Sequence, residues 1–379
     1  MSGIYMHIPF CKQACHYCDF HFSTSMKKRP EMIAALQKEL ELRKDEQPEE
    51  VQTIYFGGGT PSVLETQEIE DLVQTVYDHF PVAQNPEITL EANPDDLSPE
   101  KLDQLAASSI NRLSIGVQSF FDQDLKLMNR AHDAPMALRS LQLSRKLFDN
   151  ISIDLIYGMP AMSDERWRAN LKQAVDLDIP HISSYALTVE PNTALHRFVQ
   201  KEVVIMPEEE LVLTHFNSLQ ELMAHSGYTH YELSNFGKPG FHSKNNSAYW
   251  QGKSYLGIGP SAHSFDGARR SWNINNNTKY LKALAADTLA REVETLTMTD
   301  RYNEYIMTGL RTIWGVDLAL IEQKFGKTYR EYALQQAHKH LEEHLMFLEN
   351  DTLFVSKKGK FLSDGLAADL FLINLKDKA

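Results

Sequence analysis

Cys11, Cys15 and Cys18 are the only cysteines in this 379-residue chain, and they fall within eight consecutive positions. Three thiols cannot all pair, and two or three intervening residues are too few for ordinary disulfide geometry. Thiolates so close together point to a soft-metal site. Two chemistries fit. Zinc needs a fourth ligand, which His7, His16 or His21 supplies in a Cys₃His arrangement. An iron–sulfur cluster ordinarily takes four cysteines, so three leave one iron open to a substrate or cofactor.

Chemistry of either kind needs elements to hold it. The stretch Gly3 to Ile8 reads as a strand that runs directly into the cysteines. Arg29–Arg43 carries apolar residues at helical spacing, and Val51–Phe56 is a second strand ending in Gly57-Gly58-Gly59-Thr60-Pro61. The alternation continues with helix Glu65–His79, strand Glu87–Ala92, helix Pro99–Ala107 and strand Arg112–Val117. Helical segments at Gln123–Met128 and Pro135–Phe148 precede strand Ile151–Tyr157. Helix Ser163–Asp176 and strand Ile182–Thr188 complete the series. Six strand–helix units predict an α/β fold with a parallel sheet and helical crossovers.

The polar residues fall at one end of these strands. Glu91 closes ITLEAN, Gln118 closes LSIGVQS, and Asp154 lies near the end of ISIDLIYG. The glycine run caps the second strand and the cysteines follow the first. C-terminal strand ends form the active face of barrel-like folds, so five of six units aim polar groups at one face. The glycines lack the Lys-Ser/Thr of a P-loop and suit a close approach of backbone to ligand. Past about residue 200 the alternation stops. Pro207–Ser226 reads as a long helix, and Tyr228–Asn277 is rich in Asn, Gly, His and aromatics. From Thr297 onward the pattern is helical, with a short hairpin around Leu353–Lys360.

With 42% hydrophobic and 23% charged residues the chain reads as globular and able to bury a large core. No run of about 18 apolar residues suggests a membrane span. The start, MSGIYMHIPF, lacks the pattern of a signal peptide, which together with the reduced thiols predicts a cytoplasmic location. The net charge of −13 argues against nucleic acid as principal partner.

The run YMHIPFC at Tyr5–Cys11, the CxxxCxxC spacing and FGGGTP resemble the radical S-adenosylmethionine superfamily. Within it the chain is most similar to the branch of oxygen-independent coproporphyrinogen III oxidases and the related haem chaperones. The resemblance implies a partial (βα)₆ barrel with a C-terminal helix-rich domain. Residues 1–200 would form the barrel, 201–290 a connecting region with a candidate haem or substrate segment, and 291–379 the C-terminal domain. It implies that Cys11, Cys15 and Cys18 hold a 4Fe–4S cluster whose open iron binds S-adenosylmethionine, which one electron splits to a 5′-deoxyadenosyl radical. By carry-over, Tyr5, Tyr17, Phe20, Gly58, Gly59, Thr60, Glu91, Gln118, Arg130 and Asp154 would line the cofactor pocket. The implied partners are haem or another porphyrin, an electron donor such as a flavodoxin or ferredoxin, and a haem-accepting protein.

Two positions divide the branch. The oxidases carry a further cysteine two residues after the last cluster ligand, whereas this chain has Phe20, as the chaperones do. The chaperones carry an HNxxYW motif, and here the run is Asn245-Asn246-Ser247-Ala248-Tyr249-Trp250. An amide is a poor substitute for imidazole on iron, so His242 and His263 become the candidate haem ligands. Tyr249, Trp250, Tyr255 and Phe265 would form an aromatic platform. Lys244, Lys253, Arg269 and Arg270 would suit propionates. The expectation is a haem chaperone, with the anaerobic oxidase as the alternative.

Overall fold

The computed structural model describes residues 2–46 and 49–373. Its first half alternates as expected: β1 (Ser2–Ile8), α1 (Arg29–Leu42), β2 (Val51–Gly58), α2 (Thr66–His79), β3 (Val82–Ala92), α3 (Pro99–Ala106) and β4 (Arg112–Gln118). Then come α4 (Asp122–Leu127), α5 (Ala134–Leu147), β5 (Ile151–Tyr157), α6 (Asp164–Asp176) and β6 (His181–Ala186). Apolar residues of β1, β2, β4 and β5 are buried, as strands covered by helices require. Helix starts are marked by Ser98, Asp133 and Ser163, whose side chains accept backbone N–H bonds from Lys101, Met136 and Arg166.

The six strands pair in sequence order and in parallel, β1 through β6. β1 and β6 do not pair with each other, so the barrel stays open. Both edges are extended by the second half of the chain. After α7 (Ala194–Gln200) and α8 (Glu209–His225), β7 (Thr229–Glu232) and β8 (Asn235–Gly237) add antiparallel strands beside β6. α9 (Lys244–Trp250) follows, and β9 (Tyr255–Ile258) returns to pair in parallel with β1. β10 (His263–Phe265), β11 (Arg269–Asn273), α10 (Asn277–Leu284) and β12 (Arg291–Thr295) complete a twelve-stranded sheet.

One buried cluster of polar groups fixes that extension. Glu39 of α1 accepts hydrogen bonds from Arg43 (2.9 Å), Asn273 (2.7 Å), Tyr280 (2.5 Å) and the Gly259 N–H (2.8 Å). Arg43 also donates to the Gly257 carbonyl at 2.7 Å and Ser264 at 3.0 Å. A buried ion pair with every acceptor and donor used specifies one arrangement.

A second core, from Tyr302 to Leu370, packs α11 (Met298–Leu310), α12 (Leu318–Phe325), α13 (Lys327–Glu342) and α14 (Ser363–Asp369) around three short strands. These are β13 (Val316–Asp317), β14 (Met346–Glu349) and β15 (Thr352–Val355). The hairpin expected around Leu353–Lys360 therefore lies earlier, at Met346–Val355. Asn350 and Asp351 are both left-handed, φ 47° and 61°, and so turn the chain where a tight hairpin needs two such residues.

Candidate cofactor site

The cysteine loop is built by contacts at both ends. Its entry is pinned where the Cys11 N–H donates to the Ser23 carbonyl at 3.1 Å and Ser23 returns a bond to Pro9 at 2.9 Å. Its middle is held by α4 and the residues after it. The His16 N–H reaches the Met128 carbonyl at 3.0 Å, and Asn129 Nδ2 reaches that of Ala14 at 2.8 Å. The thiols are partly exposed and free.

The glycine run does two jobs. Gly59 lies against the chain that leads into the cysteines: a Cβ there would stand 2.6 Å from the Phe10 carbonyl oxygen. Gly58 has φ +100°, and a Cβ would meet the His7 ring at 2.4 Å, so only glycine fits. Thr60 then donates its hydroxyl to Cys11 Sγ at 3.3 Å. Arg130 is the counterpart for Cys15, donating from Nη1 to its sulfur at 3.2 Å. Its other terminal nitrogen donates to Asn93 Oδ1 at 2.7 Å and to the Gly116 carbonyl at 2.8 Å. Asn93 in turn donates to Thr60 Oγ1 at 3.2 Å, which ties the supports of two sulfurs together. Tyr17 reaches the same guanidinium at 3.5 Å. Gln118 is left-handed, φ 67°, at a register shift that ends β4 beside Gly116. Such strain in a non-glycine residue is characteristic of functional strand ends.

Behind the loop lies a cavity of about 820 Å³ that adjoins Tyr5, His7, Phe20, Gly58 and Glu91. Glu91 accepts from the Tyr55 hydroxyl at 2.8 Å and from the Gly58 N–H at 3.3 Å. Burial pushes its carboxyl up to about 7, opposed by the Tyr55 bond and reinforced by the charge of Asp154. Asp154 is likewise pushed up by burial, to about 6, against its bond to Ser183. Two carboxyls poised near neutrality, Glu91 on the cavity wall and Asp154 off it, mark a candidate functional site.

The cavity continues past Thr53 and Asn245 to Tyr249, Lys253, Tyr255, His263, Arg270 and Trp272. Asn245 Oδ1 accepts from Thr53 Oγ1 at 3.1 Å. His263 stacks on Trp272 with ring centroids 6.1 Å apart. His242 does not line this cavity. It stacks on Tyr231, ring centroids 4.2 Å apart. Lys244 and Arg269 also lie off the wall, and Arg269 is bound to Asp266 at 2.8 Å. Phe20 stands 67% exposed at the loop's outer end, beside the cavity mouth.

Each of the histidines that a zinc site would draw on has a ring nitrogen hydrogen-bonded. His7 Nε2 faces the His21 carbonyl at 2.8 Å, His21 Nε2 faces Asn277 at 2.6 Å, and His16 Nδ1 faces the Leu127 carbonyl at 2.8 Å. Among the described residues no three His, Cys, Asp or Glu groups converge on one ion. A polynuclear cluster, in which each thiolate takes a different iron, asks for no such convergence.

Comparison with known proteins agrees with this donor set. Residues 5–174 match the model of the radical SAM superfamily, and residues 296–362 match that of the HemN C-terminal domain. The haem chaperone HemW of Lactococcus lactis is 34% identical over 359 residues, 94% of each chain. That of Bacillus subtilis is 32% identical, covering 96% of this chain and 97% of its own. This chain belongs to the radical SAM superfamily, in its HemW-like group.

Radical SAM proteins work with a 4Fe–4S cluster and S-adenosylmethionine, and the residues present fit both. Cys11, Cys15 and Cys18 would hold the cluster, with Thr60 and Arg130 steadying two of the sulfurs. The matched span runs from β1 to α6 and stops before β6. The coproporphyrinogen III oxidase HemN of Escherichia coli has the same fold, with a TM-score of 0.84 at 24% identity over 98% of this chain and 90% of that one. Tyr55 and Asn93 were not singled out from sequence. Both were within reach of the period-two rule: Asn93 is two residues past Glu91, and Tyr55 is two before Gly57.

Proposed function

We propose that this radical SAM protein is a haem chaperone, which binds a 4Fe–4S cluster, S-adenosylmethionine and haem and passes the haem to an acceptor protein. The observation that supports it best is the composition of the cavity beside the cysteine loop. Phe20, Tyr249, Tyr255 and Trp272 give it aromatic surface, while Lys253 and Arg270 stand on the same wall. A porphyrin asks for both: flat apolar faces and cations for its propionates. At about 820 Å³ the space is near the top of the range for small-molecule sites.

The cluster and S-adenosylmethionine, when bound, supply one-electron cleavage of a sulfonium. The electron comes from a flavodoxin or ferredoxin. The chain's own part is positioning. Glu91 and Asp154 offer carboxylates to the hydroxyl and amino groups of the cofactor, with Gln118, Tyr5 and Tyr17 around it. For haem, the imidazole is that of His263, which stands among the aromatic and cationic residues of the wall, whereas His7 and His21 line the cavity beside the cysteine loop and Asn245 has no ring to offer. The Phe20 position, where the oxidases carry a cysteine, favours delivery over decarboxylation.

Haem titration of the anaerobically reconstituted protein tests this, read from the Soret band. His263→Ala should weaken binding by at least about tenfold, the worth of about 1.4 kcal/mol. Asn245→His should strengthen it. Unchanged binding in both variants places haem elsewhere. Conversion of coproporphyrinogen III to protoporphyrinogen IX by the reduced protein would overturn the chaperone reading in favour of the oxidase.

A further inference from the structure

A second cavity, of about 380 Å³, lies at the seam between the main sheet and the C-terminal core. His230 and Leu233 wall it on the sheet side, and Leu310, Phe347, Phe354 and Lys360 on the other. The lining is mixed, with Ile313 and Val355 adding to the apolar side and Arg311, Thr312 and Ser363 to the polar one, and one amine stands in it. Lys360 opens the short turn of helix before α14. Its neighbour Phe361 packs on Phe216 of the main core, ring centroids 5.6 Å apart, which pins the backbone there.

Lys360 Nζ is 2.8 Å from His230 Nδ1. The other ring nitrogen, Nε2, is 3.0 Å from the Leu233 carbonyl oxygen. A carbonyl only accepts, so Nε2 carries the hydrogen and Nδ1 presents a lone pair to the amine. The partner of Lys360 is thus a neutral acceptor. No ion pair to Lys360 occurs among the described residues. Glu232 acts on it electrostatically, but that carboxylate is held by Arg311 at 3.2 Å, Asn235 at 2.6 Å and the Ser234 N–H at 3.0 Å. Asp364 is likewise held by Arg311, whose own cation faces the cavity, and Glu349 stands on the rim. Burial therefore outweighs Glu232 and draws the Lys360 ammonium down to about 8.

We propose that Lys360 is a nucleophilic amine that forms an imine with a small apolar aldehyde bound in this seam cavity. The amine lone pair attacks the carbonyl carbon, and the carbonyl oxygen takes up, in net terms, the first of the two amine hydrogens. The carbinolamine then loses that oxygen with both amine hydrogens as water, leaving a C=N bond. No oxidant or reductant enters. The imine replaces the Lys360–His230 hydrogen bond, so occupancy of the cavity alters a contact between the two cores.

The full chain is incubated with benzaldehyde and cyanoborohydride, and each lysine's labelling rate is read by peptide mass spectrometry. Lys327, with a 76% exposed side chain, is the internal reference. At about pH 7.5 roughly a quarter of a group at about 8 is uncharged, against about a thousandth of an ordinary lysine. Lys360 should therefore label at least about tenfold faster than Lys327, after allowance for the weaker nucleophilicity of a less basic amine. Its rate should level off above about pH 8 while that of Lys327 keeps rising. Excess benzyl alcohol, which cannot form an imine, should slow Lys360 alone. A Lys360 rate at or below the reference, a parallel rise to high pH, or no slowing by the alcohol overturns the proposal.

Discussion

Replacing Glu91 with Gln is expected to stabilise the ligand-free protein while weakening its hold on S-adenosylmethionine. Burial raises the Glu91 carboxyl from 4.5 to about 7. At about 1.4 kcal/mol per pH unit, that displacement is a cost of about 3 kcal/mol for holding the ionised form in the fold. The sign follows from which form the fold favours. An acid whose folded-state value is raised binds its proton more tightly when folded, so stability falls as pH rises from about 4.5 and the full cost is present above about 7. Gln removes the charge but has one acceptor for two donors, Tyr55 and the Gly58 N–H. The lost hydrogen bond costs about 1 kcal/mol, leaving a gain of about 2 kcal/mol above neutrality. Urea unfolding at about pH 8 and about pH 5 measures this. The variant should be the more stable at the higher pH, and its advantage should vanish or reverse at the lower. Calorimetric titration with S-adenosylmethionine should show at least about tenfold weaker binding by the variant at the higher pH. A variant that is less stable at the higher pH, or whose advantage is independent of pH, refutes the reasoning, because the carboxylate is then not strained by burial. A charge kept at a stability cost is the mark of a group retained for binding.

Arg130→Met removes the donor to Cys15 Sγ and leaves the Gly116 carbonyl and Asn93 Oδ1 without their partner. Each buried group left unpaired costs about 1–3 kcal/mol, so the loop should hold less iron and sulfide after anaerobic reconstitution. A content equal to the parent's would deny Arg130 its positioning role. Glu39→Ala strips Arg43, Asn273, Tyr280 and Gly259 of a shared acceptor. It should cost about 3–5 kcal/mol in urea unfolding, the price of a buried guanidinium without its main counter-ion. A loss under about 1 kcal/mol would show that β9–β12 are held by packing alone.

The barrel strands were legible because parallel strands covered on both faces read as apolar runs in which a polar residue stands out. ISIDLIYG shows this, with Asp154 the one polar group that the packing of β5 does not explain. The edge extension was not legible. β12 is REVET, five residues with four exposed side chains, and nothing in its pattern separates it from a loop. What places it is the buried Glu39–Arg43 cluster, assembled from positions more than 200 residues apart, such as Asn273 and Tyr280. The C-terminal hairpin was displaced for a different reason. Asn350 and Asp351 both tolerate the left-handed region, so a turn signal was present, but the pair lacks the glycine that marks the commonest two-residue hairpins.

The change at position 245 has a physical rationale. Gly3 and Thr53 stand near the N-terminal ends of β1 and β2, with Asn245 of α9 against them, whereas Gly58 and Glu91 stand at the C-terminal ends of β2 and β3, yet one cavity touches all five. A strand rises about 3.3 Å per residue, so the five-residue step from Thr53 to Gly58 is roughly 16 Å. Position 245 is therefore the floor of the cavity and the cysteine loop is near its roof. On the floor Asn245 does structural work. Its Oδ1 takes the Thr53 hydroxyl, and its N–H, with that of Lys244, faces the Glu87 carboxylate at 3.3 and 3.0 Å. A Cβ on Gly3 would stand 2.5 Å from Thr53 Oγ1 and 3.4 Å from Asn245 Oδ1, so that corner is already full. An imidazole at 245 gives up the Thr53 bond, so the tighter haem binding expected of Asn245→His is a gain net of that loss. In the proposed chaperone the ligating ring therefore belongs on the side wall at His263, beside Trp272, where a flat ligand can enter without disturbing the floor.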